Sequence, residues 1–219
     1  MGDALRDGRI QALTIGSKVA CLDGDCGDLD GVVVDVVDPA DRTVTHVVVE
    51  PGRRRGSGRL VPIQLVDSTT DVVHLGCTTS EFRALPAAVE GARRVRSDDA
   101  LYGQGAELVG GGGPSALHGP RKLTLSDLPE GAVAIRRGER ARATDGDFGR
   151  VRGITMDTGD HRLTHVVLDE GHLWGQKTRV AIAISAVKDI TDADGVRLCV
   201  TKWQARDLPA PPADLGLPG

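Results

Sequence analysis

Four aspartates fall within eight residues near the start of the chain: Asp23, Asp25, Asp28 and Asp30. Clustered carboxylates suit Ca²⁺, which an EF-hand loop binds through oxygen ligands at positions 1, 3, 5 and 12, with glycine at position 6. If Gly31 is placed at position 6, Cys26 falls at position 1 and Val37 at position 12. Neither residue offers a carboxylate, so the cluster is interpreted as turn chemistry and no bound metal is expected.

Residues 171–178 resemble a phosphate-binding loop in composition. Such a loop needs four residues between its two glycines and a lysine directly after the second glycine. Here three residues separate Gly171 from Gly175, and Gln176 stands before Lys177. The spacing does not fit, and no nucleotide or other cofactor is expected.

Catalysis would require a nucleophile, a base and a group that orients the base. His161, His165 and His172 could approach one another, but no cysteine or carboxylate stands at ligand spacing with them, and no G-x-S-x-G motif is present. His46 and His165 each precede valines, which is typical of a packed and hydrogen-bonded histidine. We therefore expect a protein that is not an enzyme.

Arginines cluster in two stretches, Arg53, Arg54, Arg55 with Arg59, and Arg93, Arg94 with Arg96. Arginine suits phosphate and carboxylate partners alike. The chain has a net charge of −4 and only 2% aromatic residues, whereas a nucleic-acid footprint is usually basic and single-strand binding relies on aromatic stacking. Solvated loops or a docking site for an acidic protein are therefore favoured over RNA contacts.

The elements that position these residues come in two copies. Asp23-Gly24-Asp25 and Asp145-Gly146-Asp147 each stand between apolar strands and are followed by an apolar residue, a glycine and a second glycine four positions later. An Asp-Gly pair in this setting is a strong β-hairpin signal. In the second copy Arg150 and Arg152 replace Asp28 and Asp30, which a required metal site would not tolerate.

The repeat extends beyond the hairpins. In the first half we expect strands over Leu13–Cys21, Leu29–Val37, Thr43–Glu50, Leu60–Val66 and Asp71–Gly76. Thr78 and Glu81 then form a capping-box pattern for a short helix that Pro86 ends. The second half repeats the strands and closes with Thr201-Lys202-Trp203-Gln204.

These repeats predict a mainly β protein with two small antiparallel barrels in tandem, each ending in a short helix. The first barrel is expected at residues 13–86 and the second at 131–209, because closing a barrel removes the edges of a short sheet. Residues 87–130, which contain four consecutive glycines, are expected to be a flexible linker. Residues 210–219 are Pro-rich and expected to be a disordered tail.

The four cysteines, Cys21, Cys26, Cys77 and Cys199, contain no C-x-x-C pair. In the other repeat the first three positions hold Ala143, Phe148 and Val200. We therefore expect small buried hydrophobic side chains and no disulfide or zinc framework.

The sequence also bears on location. No segment has the roughly 18 consecutive apolar residues of a transmembrane helix, and the start of the chain lacks a signal-peptide pattern. A cytoplasmic location is therefore expected.

The order G-x-x-V, D-G-x-x-G-x-V-x-G, T-H-V-V and V-P-I resembles the PRC-barrel family over residues 13–86 and 131–209. The second copy is the closer match, and its Glu170–Gly175 segment carries Trp174. The first copy has Pro51–Gly56 there instead. The resemblance implies PRC-type barrels like those of the photosynthetic reaction-centre H subunit and of the ribosome-maturation factor. It implies docking onto another macromolecule and supplies no catalytic residues.

The resulting functional hypothesis is a non-catalytic interaction module, with another protein as the favoured partner. The alternative is an accessory protein for RNA or the ribosome. The expected partner-binding residues are His172, Leu173, Trp174 and Lys177 in one loop and Arg53, Arg54 and Arg55 in the other. Trp174 either caps its own barrel or projects as an interface anchor.

Overall fold

The computed structural model describes residues 10–38, 41–52, 58–69, 72–88, 90–91, 124–125, 128, 131–170 and 179–208. The protein is mainly β. The strands of the first half are β1 (Ile10–Thr14), β2 (Lys18–Cys21), β3 (Gly24–Asp35), β4 (Thr43–Glu50), β5 (Arg59–Pro62), β6 (Val66–Thr69) and β7 (Val72–Leu75). A 3₁₀ turn over Ile63–Leu65 separates β5 from β6, and helix α1 (Thr79–Ala84) closes the half.

Two short strands, β8 (Glu90–Gly91) and β9 (Thr124–Leu125), pair within the expected linker. The strands of the second half are β10 (Ala132–Arg136), β11 (Arg140–Ala143), β12 (Gly146–Asp157), β13 (Leu163–Glu170), β14 (Arg179–Ala183), β15 (Val187–Thr191) and β16 (Gly195–Leu198). A 3₁₀ turn over Ile184–Ala186 and helix α2 (Lys202–Arg206) repeat the first half. Most of residues 87–130 and all of 210–219 lie outside the described residues.

Each half forms a sheet with the same strand order, β5-β4-β3-β2-β7-β6 in the first and β14-β13-β12-β11-β16-β15 in the second. The expectation of purely antiparallel sheets is wrong, because β2 runs parallel to β7 and β11 parallel to β16. After the 3₁₀ turn each chain half makes a further hairpin, and its second strand reaches β2 or β11 in the parallel sense. Both sheets are therefore mixed.

The two halves exchange their first strands. β1 pairs with β12 of the second half, with Leu13 opposite Ile154, and β10 pairs with β3 of the first half, with Ile135 opposite Val32. The registers are equivalent, so the two exchanges are related by a local two-fold pseudosymmetry. The predicted strand Leu13–Cys21 is accordingly two strands, and each sheet takes one strand from the other repeat.

The chain crosses between the sheets over three residues. Residues 15–17 link β1 to β2, and residues 137–139 link β10 to β11. Gly16 and Gly138 stand at equivalent points of these crossings with φ values of 100° and 81°. Glycine is suited to this left-handed backbone region because it has no Cβ to clash. The repeated glycine therefore allows the abrupt crossing in both halves.

A second contact between the halves lies where the β3–β4 and β12–β13 turns meet. Thr43 and Arg162 form an isolated antiparallel bridge. The amide of Val44 donates to the carbonyl of His161, and the amide of Leu163 donates to the carbonyl of Arg42, both at 2.8 Å. These two bonds are pseudosymmetric partners, so the pseudo-two-fold axis passes through this bridge.

The larger of two clusters of buried hydrophobic residues contains residues of both halves. It is built from valine, leucine and isoleucine, as the low aromatic content predicts, with Leu13 and Ile15 reaching it from the exchanged segment. Val32, Val34 and Val47 contribute from β3 and β4. β-branched side chains pack well on the pleated surface of a sheet, which explains why such a core forms without many aromatics.

Both predicted capping boxes are confirmed. The hydroxyl of Thr78 accepts from the amide of Glu81, and Thr201 does the same with Gln204. The hairpin aspartates act as turn and cap residues, since Asp23 Oδ1 accepts from the amide of Thr79 at 2.6 Å. Each Asp-Gly turn thereby holds the first turn of the helix that closes its own half.

The expectation for the cysteines needs one correction. Cys21 and Cys26 form a disulfide, with their Cα atoms 5.9 Å apart, whereas Cys77 is free and buried and Cys199 is free and exposed. Cys26 lies at a β-bulge in the pairing of β2 with β3. Both bonded cysteines are buried across the Asp23-Gly24 turn, which brings together two residues that the C-x-x-C criterion does not consider.

Candidate interaction surface

The partner-binding residues expected from the sequence lie outside the described residues. They are Arg53, Arg54, Arg55, His172, Leu173, Trp174 and Lys177. Whether Trp174 caps its barrel or projects outward therefore stays a prediction. The described residues instead present two other surface features of the second half, Trp203 and a group of arginines.

Trp203 stands on helix α2 with 71% of its surface exposed. The helix is fixed at both ends, because the amide of Lys202 donates to Asp145 Oδ1 at 2.9 Å and the Arg206 guanidinium pairs with the buried carboxylate of Glu170. The backbone that carries Trp203 is thus anchored to the sheet. A large aromatic side chain held outward in this way is the residue type most enriched at interface hot spots.

Comparison of the two helices explains this exposure. Helix α1 buries Phe82 and helix α2 buries Ala205, each four residues after its cap. Trp203 comes two residues after its cap, at the position that Ser80 occupies in α1. Both residues are exposed. The closing helix therefore packs through one inward position, and the fold does not require an apolar side chain where Trp203 stands.

Four exposed arginines lie on neighbouring strands of the second sheet, and we call them the arginine face: Arg140, Arg142, Arg150 and Arg197. Arg140 is opposite Arg150 in the β11–β12 ladder, and Arg142 is opposite Arg197 in the β11–β16 ladder. Residues directly opposite in a ladder project to the same side of a sheet. The four side chains therefore share one face.

Carboxylates flank the arginine face on both sides. Arg142 Nε lies 3.2 Å from Asp147 Oδ1, and Arg197 Nε lies 3.7 Å from Asp189 Oδ1. Arg150 donates to the carbonyl of Gly138 at 2.9 Å. Ion pairs as exposed as these contribute little to stability. The guanidiniums thus remain accessible to an anionic partner.

The equivalent face of the first half has a different charge. Its ladders place Lys18 opposite Asp28 and Ala20 opposite His74. Lys18 Nζ and Asp28 Oδ1 form an ion pair at 2.6 Å. The second half therefore carries four positive charges where the first carries one of each sign. Because the same fold forms with both sets, the arginines are not needed to build the sheet.

The histidines expected to be packing residues are partly buried within their strands. His165 Nδ1 lies 3.1 Å from the hydroxyl of Thr155, which is fully buried and 2.6 Å from the hydroxyl of Thr164. Burial lowers the pKa of His165 and likewise the pKa of His46 in the first half. His161 lies in the β12–β13 turn, and His172 is outside the described residues, so the gathering of three histidines stays untested.

Among the described residues, no three His, Cys, Asp or Glu side chains are close enough together to hold a metal ion. In the same part of the chain, no helix is long and apolar enough to cross a membrane.

The replacement of Asp28 by Arg150 is visible in the sequence, where it argues only against a metal site. Arg142 and Arg197 were missed because they are neighbours only through a parallel ladder between distant segments. The sequence pattern places Trp203 only in the closing helix. Its offset from Thr201, compared with that of Ser80 from Thr78, was the signal that could have predicted its exposure.

No known protein-family model matches this chain, and no curated protein is significantly similar to it.

Proposed function

We propose that this protein is a non-catalytic interaction module that docks onto another protein through its second half. The observation that supports this most directly is Trp203, an aromatic side chain 71% exposed on an anchored helix. Burying an exposed tryptophan at an interface removes a large apolar area from water, and such residues often dominate binding energy. The arginine face belongs to the same half and adds charge to the contact.

The two sheets, with their repeated strand order and closing helices, are proposed to be a tandem of PRC-type barrels. The resemblance in the T-H-V-V and Asp-Gly segments supports this assignment. The strand order that the two halves share, with β2 beside β7 and β11 beside β16, supports the tandem repeat. Docking is the use implied by that family. A cytoplasmic location is part of the proposal, although the Cys21–Cys26 disulfide weighs against it because the cytosol keeps thiols reduced.

Binding to RNA or to the ribosome is the second candidate. The arginine face favours it, because guanidinium groups bind phosphate as well as carboxylate. The net charge of −4 and the aromatic content of only 2% favour a protein partner instead. The two candidates differ in whether nuclease treatment releases the bound material.

The experiment is affinity capture from a cell lysate with the full chain, before and after nuclease treatment. Trp203→Ala is compared with Leu22→Ala, a matched control because Leu22 is 69% exposed at the hairpin turn of the first half. We expect Trp203→Ala to lose about 2 kcal/mol or more of partner affinity, and both variants to keep their melting temperatures.

Equal capture by wild type and Trp203→Ala would contradict docking through this helix. Loss of all bound material on nuclease treatment would favour the RNA candidate.

A further inference from the structure

The arginine face has a property that ordinary surface charge does not explain. Arg142 and Arg197 stand directly opposite each other on parallel neighbours β11 and β16, and Arg140 stands opposite Arg150. Like charges directly opposite in a sheet are destabilising. The first half avoids this repulsion with Ala20 beside His74 and Lys18 beside Asp28. The second half therefore carries like charges opposite each other that the same fold does not require, and Asp147 and Asp189 offset their repulsion only from the sides.

The positions of the four guanidiniums restrict what could bind there. Adjacent strands lie about 4.8 Å apart and residues two apart along a strand about 7 Å apart. Arg140 and Arg142 are two apart on β11, so their spacing matches alternate side chains of an extended peptide. Carboxylates at alternate positions of such a peptide could meet both arginines, with Arg150 and Arg197 on either side.

The flanking aspartates disfavour a nucleic acid. Asp147 stands opposite Arg142 on β12, and Asp189 stands opposite Arg197 on β15. In the row of Arg142 and Arg197 these carboxylates confine the positive charge to β11 and β16, so the face offers a few separate guanidiniums and no continuous basic groove that could follow a phosphate backbone. Phe148, the aromatic residue of β12, is buried, so these strands offer no stacking platform to single-stranded bases.

We propose that the arginine face binds an extended acidic polypeptide segment with carboxylates at alternate positions. This inference rests on the proposed docking function and names the chemistry of the partner. Bidentate pairing of arginine with carboxylate supplies directional contacts, and binding relieves the repulsion between Arg142 and Arg197.

The test uses the full chain and a fluorescently labelled synthetic peptide of alternating glutamate and threonine, measured by anisotropy at low and high salt. The key variant combines Arg142→Ala, Arg150→Asp and Arg197→His. These are the residues that the first half holds at equivalent positions, so a sheet of the same strand order accommodates them. We expect this variant to weaken peptide binding by at least about tenfold, and added salt to weaken binding to the wild type.

The reciprocal variant combines Ala20→Arg, Asp28→Arg and His74→Arg in the first half. If four basic side chains on this face are sufficient, namely Lys18 with the three introduced arginines, this variant should bind a second peptide per chain. A matching peptide of alternating lysine and threonine should not bind the wild type.

Three results would overturn the proposal. The first is that the wild type binds no peptide, the second that the variant lacking Arg142, Arg150 and Arg197 binds it as tightly as the wild type, and the third that the wild type binds an oligouridylate more tightly than the peptide. Failure of the peptide alone would leave the docking proposal standing if capture still depended on Trp203. If capture did not depend on Trp203 but the peptide still bound, docking through helix α2 would be contradicted and the acidic-peptide proposal would stand.

Discussion

A Cβ atom placed on Gly153 would overlap the carbonyl oxygen of Leu13, in the exchanged strand that lies beside it. Gly31 holds the equivalent place against Ile135. The second glycine of the repeated hairpin motif is thus explained by close approach of a strand from the other half. Gly149 similarly lies against the backbone of Asp169 on the neighbouring strand, so the two glycines of the motif serve two different strand contacts.

Gly153→Ala should therefore displace β1. We expect a loss of about 2–4 kcal/mol in the free energy of unfolding, because the added methyl meets backbone that cannot rotate away. Chemical denaturation measures this change. Gly159→Ala is the control, since its Cβ would approach only the side chain of Asp157. A loss no larger for Gly153→Ala than for the control would contradict the exchanged pairing.

Arg42 ties the first half to the second through its side chain. It is 5% exposed, and its guanidinium donates to the carbonyls of Val187 at 3.0 Å and Lys188 at 2.8 Å. Burial lowers the pKa of this guanidinium, and the nearby Asp189 carboxylate opposes that shift.

Arg42→Met should cost about 2–3 kcal/mol of stability, because it keeps the apolar stem but leaves buried carbonyls without their donors. Arg83→Met on the exposed side of α1 should change stability by less than about 0.5 kcal/mol. Equal melting temperatures for the two variants would show that Arg42 does not hold the halves together.

The histidines predict a pH dependence. Burial lowers the pKa of His46 and His165 in the folded protein below the ordinary value of 6.5. Below that value the unfolded chain binds protons that the folded chain does not, so stability falls as the pH decreases from about 6.5 towards the folded pKa values.

The double variant His46→Gln, His165→Gln should flatten this dependence in denaturation curves recorded from pH 7 to 5. His74→Gln, at an exposed position, controls for the change of side chain. An unaltered slope in the double variant would assign the acid sensitivity to other groups.

Two carboxylates act in more acidic solution. Hydrogen bonds from Thr79 and Thr78 lower the pKa values of Asp23 and Glu81 respectively. Their stabilising effect is therefore lost only as the pH falls below the ordinary carboxyl range.

The cysteines predict a specific pattern of thiol titration. Cys199 is exposed, Cys77 is buried and has its thiol pKa raised by that burial, and the remaining pair is disulfide-bonded. One thiol should react in the folded protein, two after denaturation, and four after reduction. Four reactive thiols in denatured protein without reductant would contradict the Cys21–Cys26 bond.

Much of the fold could be predicted from local sequence signals. Asp-Gly turns and Thr-x-x-Glu or Thr-x-x-Gln caps act over a few residues, so the hairpins and closing helices were found correctly. The strand exchange could not be found in this way. Because the repeats are similar, β1 carries an apolar pattern that suits either sheet, and the short crossing at residues 15–17 decides which sheet receives it.

The candidate surface was predictable only in part. The exposure of Trp203 follows from its distance to Thr201. The arginine face depends on the register between β11 and β16, which lie about 55 residues apart in sequence and pair in parallel. Such non-local pairing leaves no local signal, and the charge difference from the first half becomes visible only when positions are matched through their ladders.

The exchange of strands between the two halves is tested most directly by cutting the chain between them. A protease site inserted between Gly103 and Gly119 allows the folded full chain to be cleaved, and size-exclusion chromatography then shows whether the fragments separate. Because each sheet contains a strand of the other half, the account predicts that both fragments elute together at the volume of the uncut protein and part only under denaturing conditions. Fragments that elute separately in native buffer would contradict the strand exchange.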